Sequence, residues 1–132
     1  MRLFPVVHAR RETALLLASR RGFAPIVELL LERGAAFDLG NAPLGVTPLM
    51  AASLFGQDAV VRSLLGRGAS VSAVERSRRR TPLHWAALAG EEGAARLLLA
   101  AAADREAADA GGQTARDLAA EAGADVVLSL LR

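Results

Sequence analysis

The chain has no cysteine, no tyrosine and no lysine, and one tryptophan in 132 residues. Without cysteine there is neither a disulfide scaffold nor a thiolate zinc site, and the redox compartment stays undetermined. All 16 basic residues are arginine, and with tyrosine also missing almost nothing titrates between neutrality and high pH. A pI of 10.8 therefore accompanies a formal net charge of only +2. That small total hides an uneven division. Residues 1–80 carry 12 arginines against 6 acids and residues 81–132 carry 4 against 8, so the two parts stand near +6 and −4. A gradient of this kind orients a charged partner. Long apolar runs are missing too: the longest uncharged stretch, residues 39–57, is interrupted by two prolines, three glycines and an asparagine, so no membrane span is expected. The apolar residues 3–7 are too few for a secretory leader, because His8 and two arginines follow at once. At 52% hydrophobic the chain can bury one continuous core, and it is expected in the cytoplasm or the nucleus.

What is present is a period. The stretch Thr81-Pro82-Leu83-His84-Trp85-Ala86-Ala87 recurs in weaker form from Thr13, Thr47 and Thr114, at steps of 34, 34 and 33 residues. A threonine hydroxyl suits a helix N-cap, and Pro48 and Pro82 fill the first helical position, whose N–H needs no intrahelical partner. Glycine stands nine residues after each threonine, at Gly22, Gly56, Gly90 and Gly123, where it ends a helix of about two turns. A second apolar segment follows, such as Val60-Val61-Arg62-Ser63-Leu64-Leu65, and its i, i+3, i+4 spacing predicts a second helix with one buried stripe. That helix closes in Gly34-Ala35 and Gly68-Ala69 but in Ala102-Ala103 in the third unit, so Ala102 is expected in a left-handed conformation that suits glycine. Arg79 stands two residues before its threonine, where the second and fourth units carry Gly45 and Gly112, and backbone strain is expected there as well.

One helix pair cannot hide its apolar stripe, and stacked neighbours can. The T-P-L-H-x-A core at a period near 33, with both glycines and the leucine pair in register, resembles the ankyrin-repeat family. The resemblance implies an all-α fold, an ankyrin-repeat solenoid of stacked helix-turn-helix units joined by projecting finger turns. The expected units are a lead-in at 1–12, repeats at 13–46, 47–80 and 81–113, and a C-terminal capping repeat at 114–132. Arg116 replaces the usual leucine in that last unit, which leaves it a polar outer face. In the lead-in, Leu3, Phe4, Val6 and Val7 either fold over the first unit as a cap or belong to a longer array.

No constellation suggests catalysis: there is no nucleophile elbow and no phosphate-cradling glycine loop, and two histidines do not make a zinc site. No enzyme activity, cofactor or metal is expected. His84 occupies the position whose imidazole, in the family, hydrogen-bonds the turn. Trp85 either packs between helix layers or anchors a partner. The resemblance also implies a concave groove lined by the finger turns and by the two residues before each first-helix glycine. Carried over, the candidate partner-binding residues are Arg20 and Arg21, then Val46, Leu54 and Phe55, then Arg78, Arg80 and Leu88. Their middle is apolar, which marks an interaction site if Leu54 faces outward rather than into the core. Their flanks are arginines, and the run 76–80 binds an acidic segment, serves as a nuclear import signal or is a solvated turn. On the surface reading, replacing Arg78 and Arg80 by serine costs less than about 0.5 kcal/mol. The expected function is a protein–protein interaction module, a monomeric adaptor or inhibitor by occupancy, whose groove takes a protein segment with apolar and acidic residues. The alternative is a nucleic-acid-associated or nuclear regulatory protein using the Arg-rich finger 76–80. It lacks aromatic side chains for base stacking beside the arginines.

Overall fold

Each threonine-to-glycine unit becomes a pair of helices in the computed structural model, which describes residues 13–41 and 43–132. In chain order the pairs are α1 (Ala14–Arg21) with α2 (Ala24–Glu32), α3 (Pro48–Leu54) with α4 (Asp58–Gly66), α5 (Pro82–Ala89) with α6 (Glu92–Ala100), and α7 (Ala115–Glu121) with α8 (Asp125–Leu130). There is no strand among the described residues. Every first helix starts at its threonine. The Oγ1 of Thr13, Thr47, Thr81 and Thr114 accepts the N–H three residues on, at 3.0 to 3.3 Å. Such a cap contributes about 1 kcal/mol. In the third and fourth units the side chain at that third position reaches back: His84 Nδ1 accepts from the Thr81 N–H at 3.1 Å, and Asp117 Oδ2 from the Thr114 N–H at 3.0 Å. Histidine and aspartate thus do what Glu or Gln does in the usual capping box.

The first helices α1, α3, α5 and α7 stack in one row and the second helices α2, α4, α6 and α8 in another. Leu15, Leu49 and Leu83 fill the same register of successive units and are buried, while Ala52, Ala86 and Ala119, all fully buried, let the first helices approach closely. In the last unit Arg116 takes the leucine register and is exposed, and Leu118 two residues later is buried instead. The fourth unit therefore presents a charged side chain at the register where the other three bury a leucine. At the other end the register of Val60, Ala94 and Val127, all at most 1% exposed, is occupied by Ile26, which is 49% exposed. Ile26 belongs to the first described unit, with no described helix pair before it. The expected cap formed by Leu3, Phe4, Val6 and Val7 lies outside the described residues.

Two side chains sit where their counterparts have none. Ala102 has φ 67° in the register of Gly34 (84°) and Gly68 (87°), and Arg79 has φ 55° in the register of Gly45 and Gly112 (79° each). A Cβ in the left-handed region crowds the following carbonyl, at a cost on the order of 1 kcal/mol. Ala102→Gly and Arg79→Gly are therefore each expected to raise stability by about 0.5–1 kcal/mol, net of the greater freedom glycine gives the unfolded chain. Urea midpoints for the two variants check this. A fall in both would mean that neighbouring contacts, not the backbone, decide these positions.

Candidate functional site

The turns between units are held by a side-chain oxygen near their base. In the turn before Thr47, Asn41 Oδ1 accepts the Val46 N–H at 2.9 Å. Before Thr81, the Glu75 carboxylate accepts from the N–H groups of Arg78 (2.8 Å), Arg80 (3.1 Å) and Ser77 (3.2 Å) and from the Ser77 hydroxyl (2.5 Å). Before Thr114, Asp109 Oδ1 accepts from Gly111 and Gln113, both at 2.9 Å. The backbone closes each turn with a bond from Asn41 N to Val46 O, from Glu75 N to Arg80 O, and from Asp109 N to Gln113 O. The last closure spans one residue fewer, and this is why the third step of the repeat is 33 rather than 34. Adjacent fingers are tied together as well: Arg76 N donates to Leu44 O and Ala110 N to Arg78 O, both at 2.7 Å.

Burial alone raises a carboxyl group's pKa, and for Glu75 that effect is outweighed by the Ser77 hydroxyl and the backbone N–H groups of Arg80, Arg78 and Ser77, leaving it below the ordinary value of 4.5. For Asp109, burial is likewise outweighed, by the Gln113 N–H, the Arg80 side chain, the Gly111 N–H and the charge of Arg80, leaving it below 3.8. A carboxylate with a lowered folded pKa contributes stability that is complete above its unfolded value and disappears as pH falls through the folded one. Stability is therefore expected to hold at neutral pH and to decline below about 4.5, and Glu75→Gln to be less stable at neutral pH but flatter on the acid side. Denaturant midpoints across this range would detect it, and parallel curves for the two proteins would exclude Glu75 as a source of the acid limb.

On the side of the first helices, Arg20, Val46, Leu54 and Phe55 line one groove of about 230 Å³ together with Leu16, Asn41, Met50, Ala51 and Trp85. Leu54 is half-buried and still part of the lining, and Phe55 is 51% exposed at its edge. Trp85 is half-buried, walls the groove and carries Arg80 on its ring. Of the other sequence candidates, Arg21 is exposed and Leu88 half-buried, and neither lines this groove. Arg78 and Arg80 line a second recess with Asp109, Ala110, Gly111 and Gln113.

Arg80 corrects the expectation of an exchangeable surface arginine. It is 7% exposed, its Nε donates to Asp109 Oδ2 at 3.1 Å, and its Cζ lies 5.4 Å from the centroid of the Trp85 ring. Ion pair and cation–π contact together fix the guanidinium between finger and helix. His84, also buried, has a structural job. Because Nδ1 accepts from the Thr81 N–H, the ring hydrogen is assigned to Nε2, which donates to Gln113 O at 2.9 Å and links the third unit to the finger of the fourth. Among the described residues no group of His, Asp or Glu is arranged to hold a metal ion, and no helix is long and apolar enough to cross a membrane.

Glu75, Asp109 and Asn41 were not among the sequence candidates, although a signal existed. A side-chain carbonyl or carboxylate stands six, six and five residues before Thr47, Thr81 and Thr114, always at the base of a finger. No curated protein matches the chain. Residues 4–75 and 72–132 match the family model of ankyrin repeats (3 copies). Such repeats are in general protein-binding modules rather than enzymes. With helix pairs, threonine caps and finger turns repeating along the whole described length, and with that match over nearly all of its sequence, the chain belongs to the ankyrin-repeat family.

Proposed function

We propose that the protein is an adaptor or an inhibitor by occupancy, working as a monomer in the cytoplasm or nucleus, and that its groove takes a partner segment through apolar anchors with acidic flanks. The observation that carries this reading is convergence: Leu16, Val46, Met50, Leu54, Phe55 and Trp85, contributed by three successive units, line one open groove with Arg20 among them. None of the three units presents that surface alone. Leu16 and Met50 form its buried floor, while Phe55 is exposed and Val46, Leu54 and Trp85 are half-buried, so a ligand that removes these four from water gains about 25 cal/mol per Å². The excess of arginine in residues 1–80 favours an acidic one.

The nucleic-acid alternative loses support from the same contacts. Within the run 76–80, Arg80 is committed to Asp109 and Arg76 donates to the Pro43 carbonyl at 3.1 Å, so the finger presents fewer available cations than its sequence suggests. Affinity purification followed by titration of the captured partner tests the proposal. Phe55→Ala is expected to weaken binding about tenfold or more, with little dependence on salt, because its contribution is apolar burial. A gel shift with duplex and single-stranded nucleic acid at physiological salt is expected to show no complex. Full affinity of Phe55→Ala for the partner would move the binding surface off the groove.

A further inference from the structure

The groove and the arginine-lined recess share a wall. Trp85 lines the first, Arg80 lines the second, and the two side chains stack at 5.4 Å. Of the five N–H groups on the Arg80 guanidinium, the one on Nε is spent on Asp109. Its Nη groups have no acceptor among the described residues and are not among the sealed, unpartnered polar atoms, and Arg80 lines the recess. Asp109, the one acid lining the recess, is already satisfied by Arg80, Gly111 and Gln113. Arg78 lines the same recess, is exposed, and has no ion pair or side-chain hydrogen bond among the described residues. Two guanidinium groups against one neutralised carboxylate leave the recess with net positive charge. The Arg80 charge is also held in place before any ligand arrives, which lowers the ordering cost of binding.

The geometry points to a second contact for the same partner segment: an aspartate or glutamate side chain received by Arg78 and the outward N–H groups of Arg80, with an apolar side chain of the segment seated across Trp85 in the groove. This rests on the groove reading above and adds to it where the acidic residue goes and how close to the apolar anchor it stands. The dividing wall is one stacked pair thick, so the two anchors lie within a few residues of each other in the partner. A carboxylate fits this place better than a nucleic-acid backbone. Guanidinium groups receive a carboxylate through paired hydrogen bonds. Base stacking, by contrast, needs a free aromatic face, and one face of the chain's only tryptophan is covered by Arg80.

Selection of short random peptides displayed on phage, run in parallel against wild type, Arg78→Ser and Phe55→Ala, tests this. Wild type is expected to enrich an apolar residue and an acidic residue at one fixed short spacing. Arg78→Ser should keep the apolar preference and weaken the acidic one, and Phe55→Ala the reverse. Changing the acid of a selected peptide to its amide should weaken binding to wild type about tenfold, the scale of one charge-assisted hydrogen bond, and weaken binding to Arg78→Ser clearly less, because only Arg80 remains to receive the charge. Apolar enrichment without an acidic position, or an acidic position enriched in Arg78→Ser as strongly as in wild type, would overturn the second contact and leave the groove standing. Enrichment of neither residue type would remove the groove reading and this inference together.

Discussion

Leu98→Ala is expected to lower stability by about 2–5 kcal/mol, a large fraction of what a domain of this size commonly has. Leu98 is fully buried in α6, in the middle of the second row of helices. Truncation there removes three carbons from the core and leaves a cavity between α4, α6 and α8 that rigid helices cannot close. The same substitution at Leu30, the equivalent register of the first unit, is expected to cost clearly less, because that side chain is only partly buried. The difference between the two measures how much a preceding helix pair contributes to sealing the register. Urea midpoints with unchanged denaturant slopes are the measurement. Equal costs at the two positions would mean that the register assigned to the second helices is wrong, or that Leu30 is covered as fully as Leu98.

The parts of this structure legible in the sequence are those that depend on neighbours along the chain. A capping threonine, followed by proline in two of the four units, and a glycine nine residues on specify a helix start and stop with little help from the rest of the fold, so the four first helices fall where the motif puts them. The units also inform one another. Gly45 and Gly112 in one register, and Gly34 and Gly68 in another, are enough to place Arg79 and Ala102 in the left-handed region, where both are found. The groove was partly legible for the same reason: Arg20, Val46, Leu54 and Phe55 hold fixed places in their units, and the stack brings them together.

What was not legible depends on pairs far apart in sequence. Arg80 and Asp109 are separated by 29 positions and belong to different fingers. Read locally, Arg80 is one more arginine in a polar turn. In the array its side chain has an acid beside it and an indole beneath it. Glu75 was hidden differently, because a lone acid before five residues rich in arginine reads as part of a solvated charge cluster. In the structure its four hydrogen bonds all stay within the finger. Leu88 shows the reverse relation. Its register is a groove position by analogy with Leu54, but the lining shifts towards the earlier units and leaves it out.

Arg80→Ser is expected to cost about 2–4 kcal/mol, where an exposed finger arginine costs less than about 0.5. The loss comes from both ends of the side chain. Asp109, with a side chain 3% exposed, keeps its two backbone donors but loses its counter-charge, and Trp85 loses the guanidinium stacked on its ring. Arg78→Ser, two residues away and unpaired among the described residues, is the internal control and is expected to stay within about 0.5 kcal/mol of wild type. A double-mutant cycle of Arg80→Ser with Asp109→Ala separates the pair from the packing, because the coupling energy reports the ion pair while the remaining cost of Arg80→Ser reports its contact with Trp85. The coupling should also diminish as pH falls through the lowered pKa of Asp109, since protonation removes the charge that Arg80 balances. If Arg80→Ser matched Arg78→Ser in stability, the buried pair would contribute nothing to the fold, and the fixed position of Arg80 between the groove and the recess would lose its physical basis.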